Sequence, residues 1–139
     1  MIAETLMFRL IALSIALTLP VVAHASSLKD FELTKLLQQV AKQSSVGTPR
    51  AINGDILDQG YTVDGHVLIN HLSVREAHAT QMRANPDAMR AQLAASVCNN
   101  NGFRQLLSRG AVLRYEFTEY KSNRPVANEN YDKTDCNIQ

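Results

Sequence analysis

Two cysteines placed behind an export leader constrain this fold more than any other feature. The leader is the stretch "RLIALSIALTLPVVAHASS". Arg9 precedes an apolar run from Leu10 to Leu19, Pro20 breaks the run, and Ala23-His24-Ala25 supplies an A-x-A site. A positive residue, a short apolar core and small residues before a cut describe a secretory signal peptide. It is expected over residues 1–25, with cleavage between Ala25 and Ser26. The apolar run falls short of the roughly 20 residues a bilayer span takes, so no stable membrane insertion is expected after cleavage. No cysteine lies near the cut to carry a lipid. Glu4 sits badly in a basic leader, and Met7-Phe8-Arg9 offers a cleaner start of translation. The location implied is exported, either periplasmic or secreted.

Cys98 and Cys136 both travel with the exported part. An even cysteine count in an oxidising compartment reads as a disulfide. It would close a loop of about 38 residues and contribute roughly 4 kcal/mol in the chain-entropy model. A domain of this size has about 5–15 kcal/mol of stability in all. Whatever fold forms must therefore bring residue 98 next to residue 136.

Residues 26–139 suit a single domain able to bury a core. Fourteen Lys and Arg stand against thirteen Asp and Glu, for a net charge of +1. With no basic stripe, neither a nucleic acid nor an anionic membrane surface is an expected partner.

"SSLKDFELTKLLQQVAKQSS" reads as an amphipathic helix, with Phe31, Leu33, Leu36, Leu37 and Val40 at spacings of three and four. Ser27 is placed to cap it, and Gly47-Thr48-Pro49 to end it. Asp64-Gly65 predicts a tight hairpin turn between strands near Ile56–Val63 and His66–Val74. The second strand is apolar on both sides, which suits a central strand or an interface. "SVREAHATQMRAN" allows either an irregular segment or a short helix. Asn85-Pro86-Asp87 predicts a helix start, and "PDAMRAQLAASVC" continues it with Cys98 in the last turn. "FRQLLSRG" predicts a second short helix closed by Gly110. "AVLRYEFTEY" alternates as a half-buried strand, "KSNRP" turns, and "VANENYDKTDC" returns as a weak edge strand with Cys136 near its end. The expected fold is α+β: helix, hairpin, helix pair, hairpin, with helices on one face of an antiparallel sheet of about four strands.

The sequence holds few candidates for a catalytic constellation. Cys98 is the one plausible thiol nucleophile, with His66, His71 and His78 as candidate bases, but it ends its helix at the negative pole, which disfavours a thiolate. No CxxC or HExxH spacing offers a metal site. Asp55, Asp58 and Asp64 cluster at turns, and Glu116 and Glu119 read as solvent-facing strand residues. Arg104, Arg109, Arg114, Lys121 and Arg124 form a modest cationic set, read as a solvated face among Glu116, Glu119, Glu129, Asp132 and Asp135. No catalytic residue, metal or cofactor is assigned.

Asn85-Pro86, Cys98, the Phe103-Arg104-Gln105-Leu106-Leu107 run, Gly110, Tyr115-Glu116-Phe117 and the closing Cys136 carry a resemblance. The chain resembles a family of small exported pseudomonad proteins labelled "putative quorum-sensing-regulated virulence factor", a domain of unknown function. The resemblance implies export, a compact α+β domain and a link to virulence regulation. It also implies a fold like that of secretion chaperones, and supplies no catalytic residues. The expected function is non-enzymatic and works by binding another protein. The expected surface is Val67, Leu68, Ile69, Leu72 and Val74 with the segment on to Asn85. A small secreted hydrolase and a carrier of a small apolar ligand are the alternatives, and an edge strand leaves a homodimer open.

Overall fold

The computed structural model describes residues 22–139; the leader reading over residues 1–21 lies outside them. Helix α1 (Val22–Ser44) is followed by β1 (Arg50–Ala51), β2 (Ile56–Asp64) and β3 (Val67–Val74). Helices α2 (Glu76–Ala84), α3 (Pro86–Cys98) and α4 (Asn101–Ser108) come next. The chain ends with β4 (Val112–Glu119), β5 (Pro125–Tyr131) and a 3-10 turn, Lys133–Cys136. The five strands lie in sequence order, β1-β2-β3-β4-β5. Among the described residues, no helix is long and apolar enough to cross a membrane.

The α+β class and helix-covered sheet match the expectation, with two refinements. β1 adds a fifth, two-residue strand beside Leu57 and Asp58. The central pair β3–β4 is parallel, Val67 beside Val112 through Val74 beside Glu119, where an all-antiparallel sheet was expected. Parallel neighbours need a long crossover, and α2, α3 and α4 provide it. The ambiguous segment after β3 is therefore helical and starts that crossover.

Helix α1 lays Leu33, Leu37 and Ala41 on the sheet, all buried. Phe31, expected inward, is 65 % exposed. At about 100° per residue it stands some 200° around the helix from Leu33, on the far side. Ser27 lies inside the helix, which already begins at Val22, so it is not the cap. The α1 end docks on β2 through Ser45, whose hydroxyl accepts the Tyr61 N–H at 2.8 Å and donates to the Tyr61 carbonyl at 3.3 Å.

The β2–β3 hairpin turns on Gly65-His66, with Asp64 paired to Val67, one residue later than Asp64-Gly65. Gly65 carries φ +58° at the first turn position, where glycine is favoured in tight hairpins. Asn85 separates α2 from α3 without the expected side-chain cap; its amide donates to the Gln81 carbonyl at 3.3 Å instead. Asn100 caps α4, its Oδ1 accepting the Phe103 N–H at 3.0 Å. Gly110, at φ +101°, closes α4: its N–H reaches the Leu107 carbonyl and the Ala111 N–H reaches that of Leu106. This is the paired-bond stop that favours a glycine after the last turn.

Two core clusters lie between the helices and the sheet. One holds Leu33, Leu37, Leu68, Val97, Leu107, Leu113 and Tyr131. The other holds Leu72, Val74, Ala79, Met82 and Phe117. Leu93 and Tyr115 pack against both. On β3, buried Asn70 separates Leu68 from Leu72 and donates to Asp58 Oδ1 at 3.0 Å.

Candidate functional site

The helical layer leaves a trough between α1 and α4. Its main part has a volume of about 640 Å³ and is lined by Leu36, Val40, Phe103 and Leu106, with Gln105 and Arg109 among the polar lining residues. A second hollow of about 400 Å³ is lined by Lys29, Glu32, Leu33, Ser108 and Arg109. Ser108 and Arg109 belong to both, so the two run together along α1 from Lys29 to Val40. At about 1.5 Å per residue that is roughly 16 Å of helix. Leu36, Val40 and Phe103 stay half-buried. Sequence reasoning missed this site because it favoured core packing over a partner-binding or membrane-surface role for the apolar face of α1, and read Phe103, Leu106 and Leu107 as inward. The visible signal was the pair Leu36 and Val40 beside Leu33 and Leu37 on α1, a stripe broader than one ridge on a sheet uses.

The surface expected at β3 is not one surface. Leu68, Leu72 and Val74 point at the helices and are buried in the two cores. Val67 and Ile69 alternate to the opposite face, where Ile69 is nonetheless buried. Residues alternating along one strand cannot share a docking face, which corrects that assignment. The apolar character of β3 reflects its place at the centre of the sheet.

Cys98 and Cys136 are joined, with Cα atoms 5.2 Å apart, and neither thiol is free. Cys136 sits in the 3-10 turn beyond β5, where the expected position was the end of the strand. Asp132 ends the strand by accepting the Thr134 and Asp135 N–H groups. The Thr134 hydroxyl and N–H hold the Asp132 carboxyl below the usual carboxylate range. Arg104 donates to the carbonyls of Cys98 and Cys136 at 3.2 and 3.5 Å.

The candidate bases are scattered. His66 Nε2 lies 3.8 Å from Asp30 Oδ1. His71 Nδ1 lies 3.5 Å from Glu116, and its Nε2 is 2.6 Å from the Thr62 hydroxyl. His78 lines a separate hollow between α2 and α3. Asp58 and Glu119 are both buried, which departs from the solvent-facing reading of Glu119, and both are tied. Asp58 accepts from Gly60 N–H and Asn70 and lies 3.6 Å from Arg50. Glu119 accepts from Arg83 at 2.8 Å and lies 3.6 Å from Arg124. No group of three His, Cys, Asp or Glu side chains among the described residues could hold a metal ion. Burial pushes the Tyr115 phenol up to about 12.

The cationic set divides. Arg104 and Arg124 are engaged as above, and Arg114 donates to Asn130 at 2.7 Å on the face away from the helices. Arg109 stands in the trough, and its side chain makes no ion pair among the described residues.

A five-stranded sheet, one helical layer and a terminal disulfide define a small α+β domain. Residues 26–137 match the family model described as "Putative quorum-sensing-regulated virulence factor", and the chain belongs to that family. A crystal structure of a "putative secreted protein" from Pseudomonas aeruginosa is 69 % identical, covering 78 % of this chain and 96 % of that one, with TM-score 0.77. The type 2 secretion pilotin EpsS of Vibrio vulnificus is 15 % identical over 81 % of this chain and 99 % of its own, with TM-score 0.69. The type II secretion pilotin AspS of Vibrio cholerae is 19 % identical over the same shares, 81 % and 99 %, with TM-score 0.65. At these identities the pilotins share the fold. No curated protein matches the chain.

Proposed function

We propose that this is an exported, non-enzymatic protein that acts by binding another protein in the trough between α1 and α4. The observation that carries the reading is the half-buried apolar set Leu36, Val40 and Phe103, left without a covering side chain between α1 and α4. Apolar surface kept open in a concave site is worth free energy only when something covers it. Of the candidate catalytic groups, Asp58, His71 and Glu119 lie away from the trough and are each engaged by a charged neighbour. Export is supported by the leader, by the family match beginning at Ser26, and by the "putative secreted protein" of Pseudomonas aeruginosa. That two proteins of this fold are called pilotins of secretion systems agrees with a binding role.

A photo-reactive residue at Gln105, on the trough rim, tests this in cells that export the protein. The expected result is a discrete cross-linked partner, lost in Val40→Asp while the disulfide and circular dichroism are kept. Equal yields from Gln105 and from a control probe at Asn128, on the opposite sheet face, would overturn the trough.

A second reading, carriage of a small apolar ligand, is favoured by the α2–α3 hollow. That hollow has about 460 Å³ and is lined by Ile56, Met82, Met89, Leu93 and Phe117 with a polar rim. Native mass spectrometry of freshly isolated protein would show a retained ligand, and its absence would remove this reading.

A further inference from the structure

We infer that the occupant of the trough is an amphipathic helix of about three turns that presents a carboxylate at its Arg109 end; this rests on the trough being the binding site. The walls decide the backbone of the partner. Both are helices, α1 and the eight-residue α4, whose peptide groups pair within the helix except in the end turns. Away from the helix ends they offer no row of free N–H and C=O groups. An extended peptide laid there would have to bury its backbone polar groups without partners, which costs free energy for each one. It would find such partners at a sheet edge, and the trough contains none. A helix brings its backbone already satisfied and needs only side-chain contacts, which Leu36, Val40, Phe103 and Leu106 provide. The length agrees: α1 borders the trough over roughly 16 Å, or three turns.

Charge sets the polarity. The end of the trough toward the start of α1 carries Lys29 and Arg109 against the single acid Glu32. None of the three has an ion-pair partner among the described residues. The other end, at Val40, Asn100 and Gly102, is uncharged. A cationic end next to an apolar floor complements an acidic residue on an otherwise apolar helix face. The negative pole of a bound helix would reinforce this, so its C-terminal end is expected to point toward Arg109.

The test uses two labelled synthetic helices of about three turns, both alanine-rich with leucines at spacings of three and four. One ends in two glutamates and the other in two lysines. Fluorescence anisotropy is read against the exported, oxidised protein and its Arg109→Glu variant. The acidic peptide is expected to bind the unaltered protein about five- to tenfold more tightly, with the preference reversed in Arg109→Glu. Equal binding of both peptides, unmoved by Arg109→Glu, would overturn the charge assignment and leave the trough standing. No binding of either peptide, while Gln105 still cross-links a partner, would overturn the helical occupant alone. Loss of both signals would remove the trough itself.

Discussion

Asp58 shows how a single side chain can be misread from its neighbours in sequence. Beside Gly54, Asp55, Gly60 and Asp64 it looks like turn chemistry, yet it is buried within β2. Its Oδ1 accepts from the Gly60 N–H at 2.9 Å and from Asn70 at 3.0 Å. Asn70 also reaches the Gly60 carbonyl at 3.3 Å. The register shift between Asp58 and Gly60 leaves a backbone N–H for the carboxylate to satisfy. Asp58→Ala would strand that N–H and the Asn70 amide, so a loss of about 2–3 kcal/mol is expected in urea denaturation. A loss no greater than that of an exposed substitution would show that water replaces the carboxylate. Tyr115 gives a pH-dependent counterpart. Its phenol, desolvated by burial and beside Tyr61 and Tyr131, ionises near 12 against 10.0 in the unfolded chain. The folded state holds this proton longer, so the contribution is complete below pH 10 and is lost as pH rises through about 12. Between those limits Tyr115→Phe is expected to lose less stability than the unaltered protein, read by denaturation midpoints along an alkaline series. Parallel curves would show that Tyr115 ionises alike in both states.

At the scale of elements, sequence periodicity located almost every helix and strand, because each has one strong apolar face and a local stop. Gly110 and Asn85-Pro86 were read at their positions for that reason, although Asn85 makes no cap. The parallel pairing of β3 with β4 was not legible, since pairing partners far apart in sequence leave no local trace. Nor was β1, whose two residues carry no period. The trough was hidden for a related reason: Leu36 and Val40 look like core until the neighbour that fails to cover them is placed. What positions the trough is the seating of α1, and Gly60 makes that seating possible. A Cβ on Gly60 would lie 3.1 Å from both Ser45 Oγ and Thr48 Oγ1, at a φ of +104°. Gly60→Ala therefore combines backbone strain with a push against the end of α1, at an expected cost of about 1–3 kcal/mol. The same variant is expected to weaken peptide binding in the trough, since Val40 sits one turn from the displaced end. Lost stability with unchanged peptide affinity would mean that α4 alone shapes the site. The β5 edge bears on the homodimer left open by the sequence. Arg83 donates to the Pro125 carbonyl at 2.9 Å and Arg90 lies 3.5 Å from that of Asn130, which obstructs the edge against pairing with a second copy.

For the whole molecule, Cys98 and Cys136 impose a closure that falls where the helical crossover meets the last 3-10 turn. Arg90 ties the same two regions independently. Its guanidinium lies against Glu129 at 2.5 Å and Asp135 at 3.5 Å, and 5.0 Å over the Tyr131 ring. The Tyr131 hydroxyl donates back to the Arg90 carbonyl at 2.9 Å. The Tyr131 side chain is fully buried, so the C-terminal region is anchored by packing as well as by covalent linkage. The two kinds of tie respond differently to reduction. Removing the disulfide restores chain entropy to the unfolded state across a 38-residue separation, worth roughly 4 kcal/mol in the loop-closure model. It leaves the Arg90–Tyr131 contacts in place. The Cys98→Ala, Cys136→Ala pair is therefore expected to lower the urea midpoint by an amount equivalent to about 2–4 kcal/mol while keeping the native circular dichroism and peptide binding in the trough. Adding Tyr131→Ala to that pair removes both ties, and the expected outcome is loss of cooperative unfolding. A cysteine-free protein that is already unfolded without urea would show that the disulfide, and not the Arg90–Tyr131 anchor, holds the C-terminal region to α3.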